Sequence, residues 1–212
     1  MIEHKFKADK IEVNAHQGWS WNEFDLYNES APNYERIKIE REALALLAAL
    51  VQHADNKDEQ QRLICLDKDI PENAATCDQP AMMIQDLGFS FGHGFTDGKQ
   101  GFDKMGTANL KGFLEAPIWS DAEQCITQIN FYKYTGQKAN KKISEKARIF
   151  LSDRLNSLSD DDLINLFTVS KIYRLDEYLL DDNGDPKKVQ IMDWVNGFKQ
   201  KIKKITEHTC PE

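Results

Sequence analysis

The sequence has no long hydrophobic run and no excess of positive charge. No stretch approaches the roughly 18 consecutive apolar residues of a membrane-spanning helix, and residues 1–5 lack the apolar core of a signal peptide. The net charge is -8 and the pI is about 5.2, which argues against a general nucleic-acid-binding surface. We therefore expect a cytoplasmic protein with no membrane span and no nucleic-acid partner. A missing N-terminal segment with a signal would instead make it a secreted one.

Cysteine is scarce and lacks metal-binding spacing. The chain has four cysteines and no Cys-x-x-Cys pair, so no conventional zinc site is predicted. An even number allows two disulfides, for instance between Cys65 and Cys77, but free buried thiols are the expected state in a cytosolic chain. The other two cysteines are Cys125 and Cys210.

An apolar helix, a polar loop and two short strands follow one another in the first half of the chain. Residues 35–52 have a helical pattern, and residues 43–51 are entirely apolar. The polar residues 53–60 come next and are called the 53–60 loop below. Residues 63–66 and 82–84 predict two short buried strands, separated by a polar insertion that contains prolines.

The 53–60 loop reads His-Ala-Asp-Asn-Lys-Asp-Glu-Gln. It resembles the catalytic loop of protein kinases, in which an Asp follows the His by two residues, a Lys by four and a metal-binding Asn by seven. Asp55, Lys57 and Gln60 stand at these offsets from His53. The resemblance implies that Asp55 is the catalytic base, that Lys57 stabilises the transferred phosphoryl group and that Gln60 binds metal. His53 would support the loop at the cofactor site.

The second predicted strand is followed by Asp86-Leu87-Gly88, which resembles the Asp-Phe-Gly motif of kinases. Asp86 would bind the metal ion, and Gly88 would give the backbone its freedom beside the cofactor. Helix, catalytic loop, strand, loop, strand and metal-binding Asp is the order of a kinase C-terminal lobe. The cofactors that this resemblance implies are Mg²⁺ and ATP.

The chain departs from the kinase pattern in two ways. Gln60 replaces the usual Asn, and its additional methylene group shifts the amide oxygen unless the backbone compensates; Asn56 and Gln61 are nearby amides that could take its place. In addition, the segment before His53 is too short for a nucleotide-clamping lobe with a Gly-rich loop and a strand lysine. An upstream or partner N-terminal lobe would have to supply that half of the site.

The same residues resemble an uncharacterised bacterial family of atypical-kinase-like proteins. Its pattern contains Gln-His, Asp-Asn-Lys, Gln-Gln-Arg-Leu, a Cys, Ile-Gln-Asp-Leu-Gly and a later Phe-Gly. These motifs are found here at residues 52–53, 55–57, 60–63, 65, 84–88 and 91–92. The resemblance continues through Trp19-Ser20-Trp21, Pro117-Ile118-Trp119 and Trp194-Val195 and covers most of the chain. It implies the fold more than the activity.

The remaining pattern is mostly helical. Ser20 followed by Glu23 predicts a short capped helix, and beyond Ser144 the pattern predicts helices to the end of the chain. Ser159 begins a helix whose acidic first turn suits the positive helix terminus, and Asn183-Gly184 predicts a turn. The last helix is amphipathic, and we expect its lysines to face solvent: Lys199, Lys201, Lys203 and Lys204.

The predicted fold is mainly α with a small β element, a protein-kinase-like C-terminal lobe whose N-terminal nucleotide-clamping lobe is largely absent. Residues 35–212 would form this lobe, and residues 1–34 would be a connecting segment. Glycines and phenylalanines between residues 88 and 102 predict an activation-segment equivalent that the phenylalanines attach to the lobe.

Three functions are open at this stage. The first is Mg²⁺-dependent phosphoryl transfer from ATP to an unknown acceptor substrate. The second is a catalytically inactive kinase-like binding or scaffold module, or the product of a truncated gene. The third is an unrelated metal-dependent hydrolase built from His53, Asp55, Asp86 and His93.

Overall fold

The structure is a computed structural model. It describes residues 9–10, 18–25, 29–66, 80–85, 87, 90–92, 95–96, 99–100, 108–129, 139–175, 178–180 and 183–211. Asp86, Gly88, His93 and Cys77 lie outside the described residues, so the predictions that depend on them stay predictions.

The described residues contain five α-helices and nine short strands. The helices are α1 (Tyr34–Val51), α2 (Leu110–Glu115), α3 (Glu145–Asn156), α4 (Asp160–Val169) and α5 (Ile191–Thr206). The strands are β1 (Asp9–Lys10), β2 (Gln61–Cys65), β3 (Pro80–Ile84), β4 (Phe95–Thr96), β5 (Lys99–Gln100), β6 (Trp119–Asp121), β7 (Ile126–Thr127), β8 (Tyr178–Leu180) and β9 (Pro186–Lys188). Two single 3₁₀ turns cover Asp58–Gln60 and Ile172–Arg174.

The strands form small antiparallel sheets. The largest has three strands in the order β1-β2-β3, and the other described strands pair as β4-β5, β6-β7 and β8-β9. In the β2-β3 pair, Gln61 lies opposite Ile84 and Cys65 opposite Pro80. This register places the end of β3 beside the start of β2, where the 53–60 loop ends.

The core lies between the helices. The buried face of α1 consists largely of alanine and leucine, which lets α3 pack closely against it. A second part of the core, called the aromatic cluster here, lies between α2, α4 and α5. It consists of Phe91, Phe113, Phe167, Trp194 and Phe198. Phe91 packs its ring against Phe113 and Phe198 in this cluster. The activation-segment equivalent stays a prediction.

Several local predictions are confirmed. The predicted first helix and the two predicted strands correspond to α1, β2 and β3, with ends shifted by one or two residues. The second strand was predicted to be buried, but β3 is only partly buried. Ser144 caps α3, and Ser159 caps α4 in a reciprocal capping box with Asp162. Gly184 has a φ of +84°, the left-handed conformation expected for the Asn183-Gly184 turn between β8 and β9.

Three predictions in the same regions are wrong. Ser20 donates its main-chain N–H to Glu23 Oε2 at 2.7 Å, as in half of a capping box, but residues 21–25 form a turn instead of a helix. The β8-β9 hairpin interrupts the region that was predicted to be helical from Ser144 onward. Lys201 is fully buried, because it shares a helix stripe with Trp194, Phe198 and Ile205.

The prediction of free thiols is also wrong. Cys125 and Cys210 form a disulfide that joins the β6-β7 pair to the end of the chain, and Cys65 is disulfide-bonded as well. The described part of the chain contains no free cysteine. The spacing of the cysteines carried no information about pairs that are far apart in sequence.

The coarse fold prediction holds: helices dominate, and the β structure is small. None of the described helices is long and apolar enough to cross a lipid bilayer.

Candidate functional site

The 53–60 loop begins where α1 ends, at a residue with unusual backbone geometry. Gln52 has φ 57° and ψ 52°, the left-handed conformation that usually falls to glycine at a helix C-terminus. Its main-chain N–H contacts the carbonyls of Ala48 and Ala49 and so closes the helix. A side chain in this conformation costs about 1 kcal/mol, so a compensating interaction is expected.

The Gln52 side chain supplies that compensation. Its Oε1 accepts a hydrogen bond from the N–H of Gly92 at 2.6 Å, and its Nε2 donates to the carbonyl of Phe113 at 2.9 Å. Gln52 is 2% exposed, so these bonds lie away from water. One glutamine thus joins the end of α1, the Phe91-Gly92 turn and α2. Glycine at position 52 would satisfy the backbone but lose both contacts.

Asn56 holds the centre of the loop. Its Nδ2 donates to the carbonyls of His53 at 2.8 Å and Ile129 at 3.0 Å. Its own carbonyl accepts from Trp21 Nε1 at 3.1 Å and from Gln61 Nε2 at 2.9 Å. These four bonds connect the loop to the segment before α1, to the region after β7 and to the start of β2.

The predicted substitutes for Gln60 are therefore interior residues. Asn56 and Gln61 are 1% and 0% exposed, and their amide nitrogens bond to main-chain carbonyls. Neither can bind an ion that approaches from solvent. His53 is also fully buried. Its ring therefore lies on the interior side of the loop.

The predicted base, cation and amide lie together on the solvent side. Lys57 Nζ is 3.4 Å from Asp55 Oδ1, and Gln60 Nε2 donates to Asp55 Oδ2 at 3.4 Å. The side chains of Asp55 and Lys57 are 25% and 49% exposed. A pair this open to water contributes at most about 1 kcal/mol to stability. The cluster is thus accessible, and it adds little to the stability of the fold.

The hairpin brings the next part of the predicted site to the same place. The N–H of Gln85, just after β3, donates to the Gln60 carbonyl at 2.9 Å. Gln85 immediately precedes Asp86 in the sequence. The structure therefore brings together Asp55, Lys57 and Gln60 and places Gln85 beside them, while Asp86 and Gly88 are outside the described residues.

A second carboxylate of the loop has different surroundings. Burial raises the pKa of Asp58, and the nearby carboxylates of Glu59 and Glu23 add to this effect. Asp58 thus has acidic neighbours, whereas Asp55 has a lysine and an amide within 3.4 Å. Asp55 and Asp58 are therefore a matched pair. Replacing each in turn separates an effect specific to Asp55 from the effect of losing any negative charge in the loop.

Two residues that support the loop were missed as such by the sequence analysis. Gly18 donates its N–H to the Asp58 carbonyl at 3.1 Å, and a Cβ atom on Gly18 would lie 1.6 Å from the Gln61 carbonyl oxygen. Trp21 is a core residue at 2% exposure, and its Nε1 also donates to the Asn56 carbonyl in the loop. The motif Trp19-Ser20-Trp21 was the only sequence feature that pointed to Trp21, and it did not indicate which residue Trp21 contacts.

One cluster with metal-ligand chemistry occurs in the described part of the chain, away from the loop. It consists of Cys125, His208 and Cys210. The hydrolase hypothesis would instead need His53 and Asp55 in such a cluster with Asp86 and His93. His53 is buried, whereas Asp55 faces solvent, so these two side chains lie on opposite sides of the loop.

Comparisons with known protein families, with curated proteins and with solved structures found no match.

Proposed function

We propose that this chain is an atypical kinase-like protein that transfers a phosphoryl group from ATP to an acceptor in a Mg²⁺-dependent reaction. One observation carries the proposal: Lys57 and Gln60 both contact the Asp55 carboxylate on the solvent side of the 53–60 loop. The buried residues His53 and Asn56 form the interior side of this loop. Phosphoryl transfer depends mainly on positioned charges, and this loop displays them on a fixed backbone.

Asp55 would accept the proton of the acceptor hydroxyl. Its carboxylate is partly exposed, so a substrate can approach it, and the buried contacts of Asn56 fix the backbone on its C-terminal side. Lys57 would stabilise negative charge on the transferred group, because its Nζ is next to Asp55 and half-exposed.

Gln60 and Asp86 would hold Mg²⁺, which prefers oxygen ligands. Support comes from the hydrogen bond between Gln85 and Gln60, which attaches the segment before Asp86 to the loop. The ion would neutralise charge on the ATP phosphates. An upstream or partner lobe would supply the nucleotide clamp, so we expect the chain alone to bind ATP weakly.

The test is Mg²⁺-dependent formation of ADP at millimolar ATP, measured with and without the polypeptide encoded immediately upstream. We expect Asp55→Asn to reduce turnover by about 100-fold or more, since general-base catalysis contributes about 10²–10⁴. Asp86→Asn should remove the dependence on Mg²⁺ together with the activity. Asp58→Asn is the matched control in the same loop and should retain turnover. Turnover that survives Asp55→Asn and Asp86→Asn would overturn the residue assignment.

The second candidate is a non-catalytic kinase-like binding or scaffold module. It is favoured by the described residues before α1, where Trp19, Trp21 and Phe24 pack into the core of the lobe and only a two-residue strand, β1, is present. A thermal-shift titration separates the candidates, because a ligand stabilises a protein by RT ln(1 + [L]/Kd). No stabilisation by millimolar Mg-ATP, with the upstream polypeptide added, would favour the scaffold.

A further inference from the structure

The end of the chain folds back over the β6-β7 pair. Cys210 is bonded to Cys125, with 5.6 Å between their Cα atoms. His208 lies between the two elements: its Nε2 is 2.9 Å from the Ala122 carbonyl oxygen, and its ring centroid is 5.0 Å from that of Trp119. One ligand atom each of Cys125, His208 and Cys210 lies within 4.8 Å of the others.

The position of His208 suits a metal ligand. A carbonyl oxygen only accepts hydrogen bonds, so Nε2 carries the hydrogen, and in the neutral ring Nδ1 then holds the free lone pair. Histidines that bind metals usually donate their other ring N–H to such a carbonyl or carboxylate, which fixes the tautomer and the ring orientation. Here Ala122 fixes the tautomer, and Trp119 packs against the ring.

The three residues are near enough to one another to reach the spacing of a tetrahedral zinc site. Zn–S bonds of about 2.3 Å and Zn–N bonds of about 2.0–2.1 Å place ligand atoms roughly 3.5–3.8 Å apart. The three ligand atoms lie within 4.8 Å of one another, and side-chain rotation can bring them to this spacing once the disulfide opens and its sulfurs separate. Two thiolates and a neutral imidazole also cancel the charge of Zn²⁺, which suits the burial of Cys125 and Cys210 at 0% and 4% exposure.

We propose that Cys125, His208 and Cys210 form a redox-dependent zinc site. A dithiol reductant gives two electrons and two protons to the disulfide, which becomes two thiols while the reductant forms its own disulfide. Zn²⁺ then binds both sulfurs and His208 and displaces two protons. A water molecule takes the fourth position, because His208 is only partly buried. The segment after α5 is thus attached to β6-β7 in both states.

The other described disulfide cysteine offers a control. Cys65 belongs to no metal-competent cluster among the described residues, whereas Cys125 and Cys210 share His208. The double variant Cys65→Ser, Cys77→Ser removes the remaining cysteines and leaves the proposed site complete.

The experiment uses Co²⁺ as a spectroscopic probe for Zn²⁺. The full chain is reduced with a phosphine, desalted without oxygen and titrated with Co²⁺. We expect one Co²⁺ per chain, with d–d bands of a tetrahedral ion and thiolate-to-cobalt charge transfer, in the wild type and in the Cys65→Ser, Cys77→Ser variant. The oxidised chain should give neither band. His208→Ala should weaken binding at least about tenfold.

A rescue variant separates ligand loss from misfolding. His208→Cys restores a third soft ligand, so it should recover stoichiometric binding and increase charge transfer. The proposal is overturned if the reduced wild type gives no tetrahedral spectrum, or if Cys125→Ser or His208→Ala binds as tightly as the wild type. A reduced chain that loses its near-UV circular dichroism and does not regain it with Zn²⁺ would also overturn it.

Discussion

The interior side of the 53–60 loop and the aromatic cluster are both buried, but different interactions hold them. The residues that position the loop are amides, and each bonds to main-chain groups far away in sequence: Gln52 to Gly92 and Phe113, and Asn56 to Ile129. In the aromatic cluster, Trp194 instead contacts rings at centroid distances of 5.8 to 6.4 Å. Hydrogen bonds fix one backbone geometry, whereas apolar packing accepts substitutes of similar volume.

This difference matters for the proposed function. A catalytic loop must hold non-repetitive backbone in one conformation, and directional bonds do so even where little apolar area is buried. The aromatic cluster buries large apolar side chains, which contribute mainly to stability. We therefore expect substitutions in the aromatic cluster to change stability, and substitutions of the loop's supporting amides to change the shape of the loop as well.

The largest stability effect is expected at Trp194. Trp194→Ala removes a side chain that is 1% exposed and contacts Phe91, Phe113 and Phe167, and we expect a loss of about 3–5 kcal/mol in the free energy of unfolding. Chemical denaturation measures it. Trp194→Phe should cost clearly less, because it retains apolar packing. Equal losses for both variants would show that the cluster depends on specific geometry, as the loop does.

The second prediction concerns Gln52. Gln52→Leu leaves the N–H of Gly92 and the carbonyl of Phe113 without their buried partner and keeps a side chain in the left-handed conformation. Each of the two unsatisfied groups costs about 1–3 kcal/mol, and we expect a total loss in the lower part of the summed range, about 2–4 kcal/mol.

Gln60→Leu is the matched control for Gln52→Leu. Gln60 is an amide at the other end of the loop, and its side chain contacts Asp55 on the solvent side. Its replacement should change stability by no more than about 0.5 kcal/mol. Similar losses for the two glutamines would contradict the division into a buried supporting side and an exposed functional side.

The sequence predicted what short-range patterns determine. The apolar face of α1, the strands β2 and β3 and the serine caps of α3 and α4 follow from residues within one or two turns of each other. The cluster of Asp55, Lys57 and Gln60 was also found, because its members lie within six residues.

Long-range pairs were not predictable in this way. Gln52 and Gly92 are 40 residues apart, and Cys125 and Cys210 are 85 apart, so no local pattern connects them. Lys201 was predicted to face solvent from its residue type, although its position on the helix stripe of Trp194 and Ile205 determines its burial. Lys201 is buried despite being a lysine, because α2 packs against the face of α5 on which it lies.

Lys201 is an exception to the difference between the polar loop contacts and the apolar aromatic cluster, because it is a charged residue type buried beside that cluster. Its Nζ donates to the Ala116 carbonyl and lies 5.3 Å from the Phe113 ring centroid. Burial, with a smaller effect from Lys204, lowers the pKa of Lys201 from 10.5 to about 7. Below pH 7 the lysine is charged in both the folded and the unfolded chain, so the cost of burying the charge is fully present. Between pH 7 and 10.5 only the unfolded chain keeps the proton, and the stability of the folded chain rises with pH.

Lys201→Met removes this cost. We expect the variant to be more stable than the wild type at pH 6–7, and the advantage to shrink by about 2 kcal/mol between pH 7 and pH 9. Lys199→Met, on the exposed side of the same helix, is the control and should show no such trend. The test is to measure the free energy of unfolding of the wild type, Lys201→Met and Lys199→Met across this pH range. A constant difference between Lys201→Met and the wild type would mean that the buried amine does not titrate between pH 7 and pH 9.

Apart from the control variants, the smallest effect is expected at Ser159, which caps α4 in a purely local motif. Its hydroxyl accepts from the N–H of Asp162 at 3.1 Å, and the Asp162 carboxylate accepts from the N–H of Ser159 at 2.9 Å. Ser159→Ala should cost about 1 kcal/mol at pH 7, measured by denaturation. Bonds from the Ser159 hydroxyl and N–H lower the pKa of Asp162 in the folded chain below 3.8. Part of the loss should therefore disappear as the pH falls from 3.8 through this lowered pKa, because the carboxyl is then protonated in both states. Ser157→Ala, just after the end of α3, is the control and should have a smaller effect.

A Ser159→Ala loss as large as that of Gln52→Leu would contradict the comparison. Loss of the exposed cap leaves main-chain groups that water can still bond, whereas loss of Gln52 leaves buried groups without a partner.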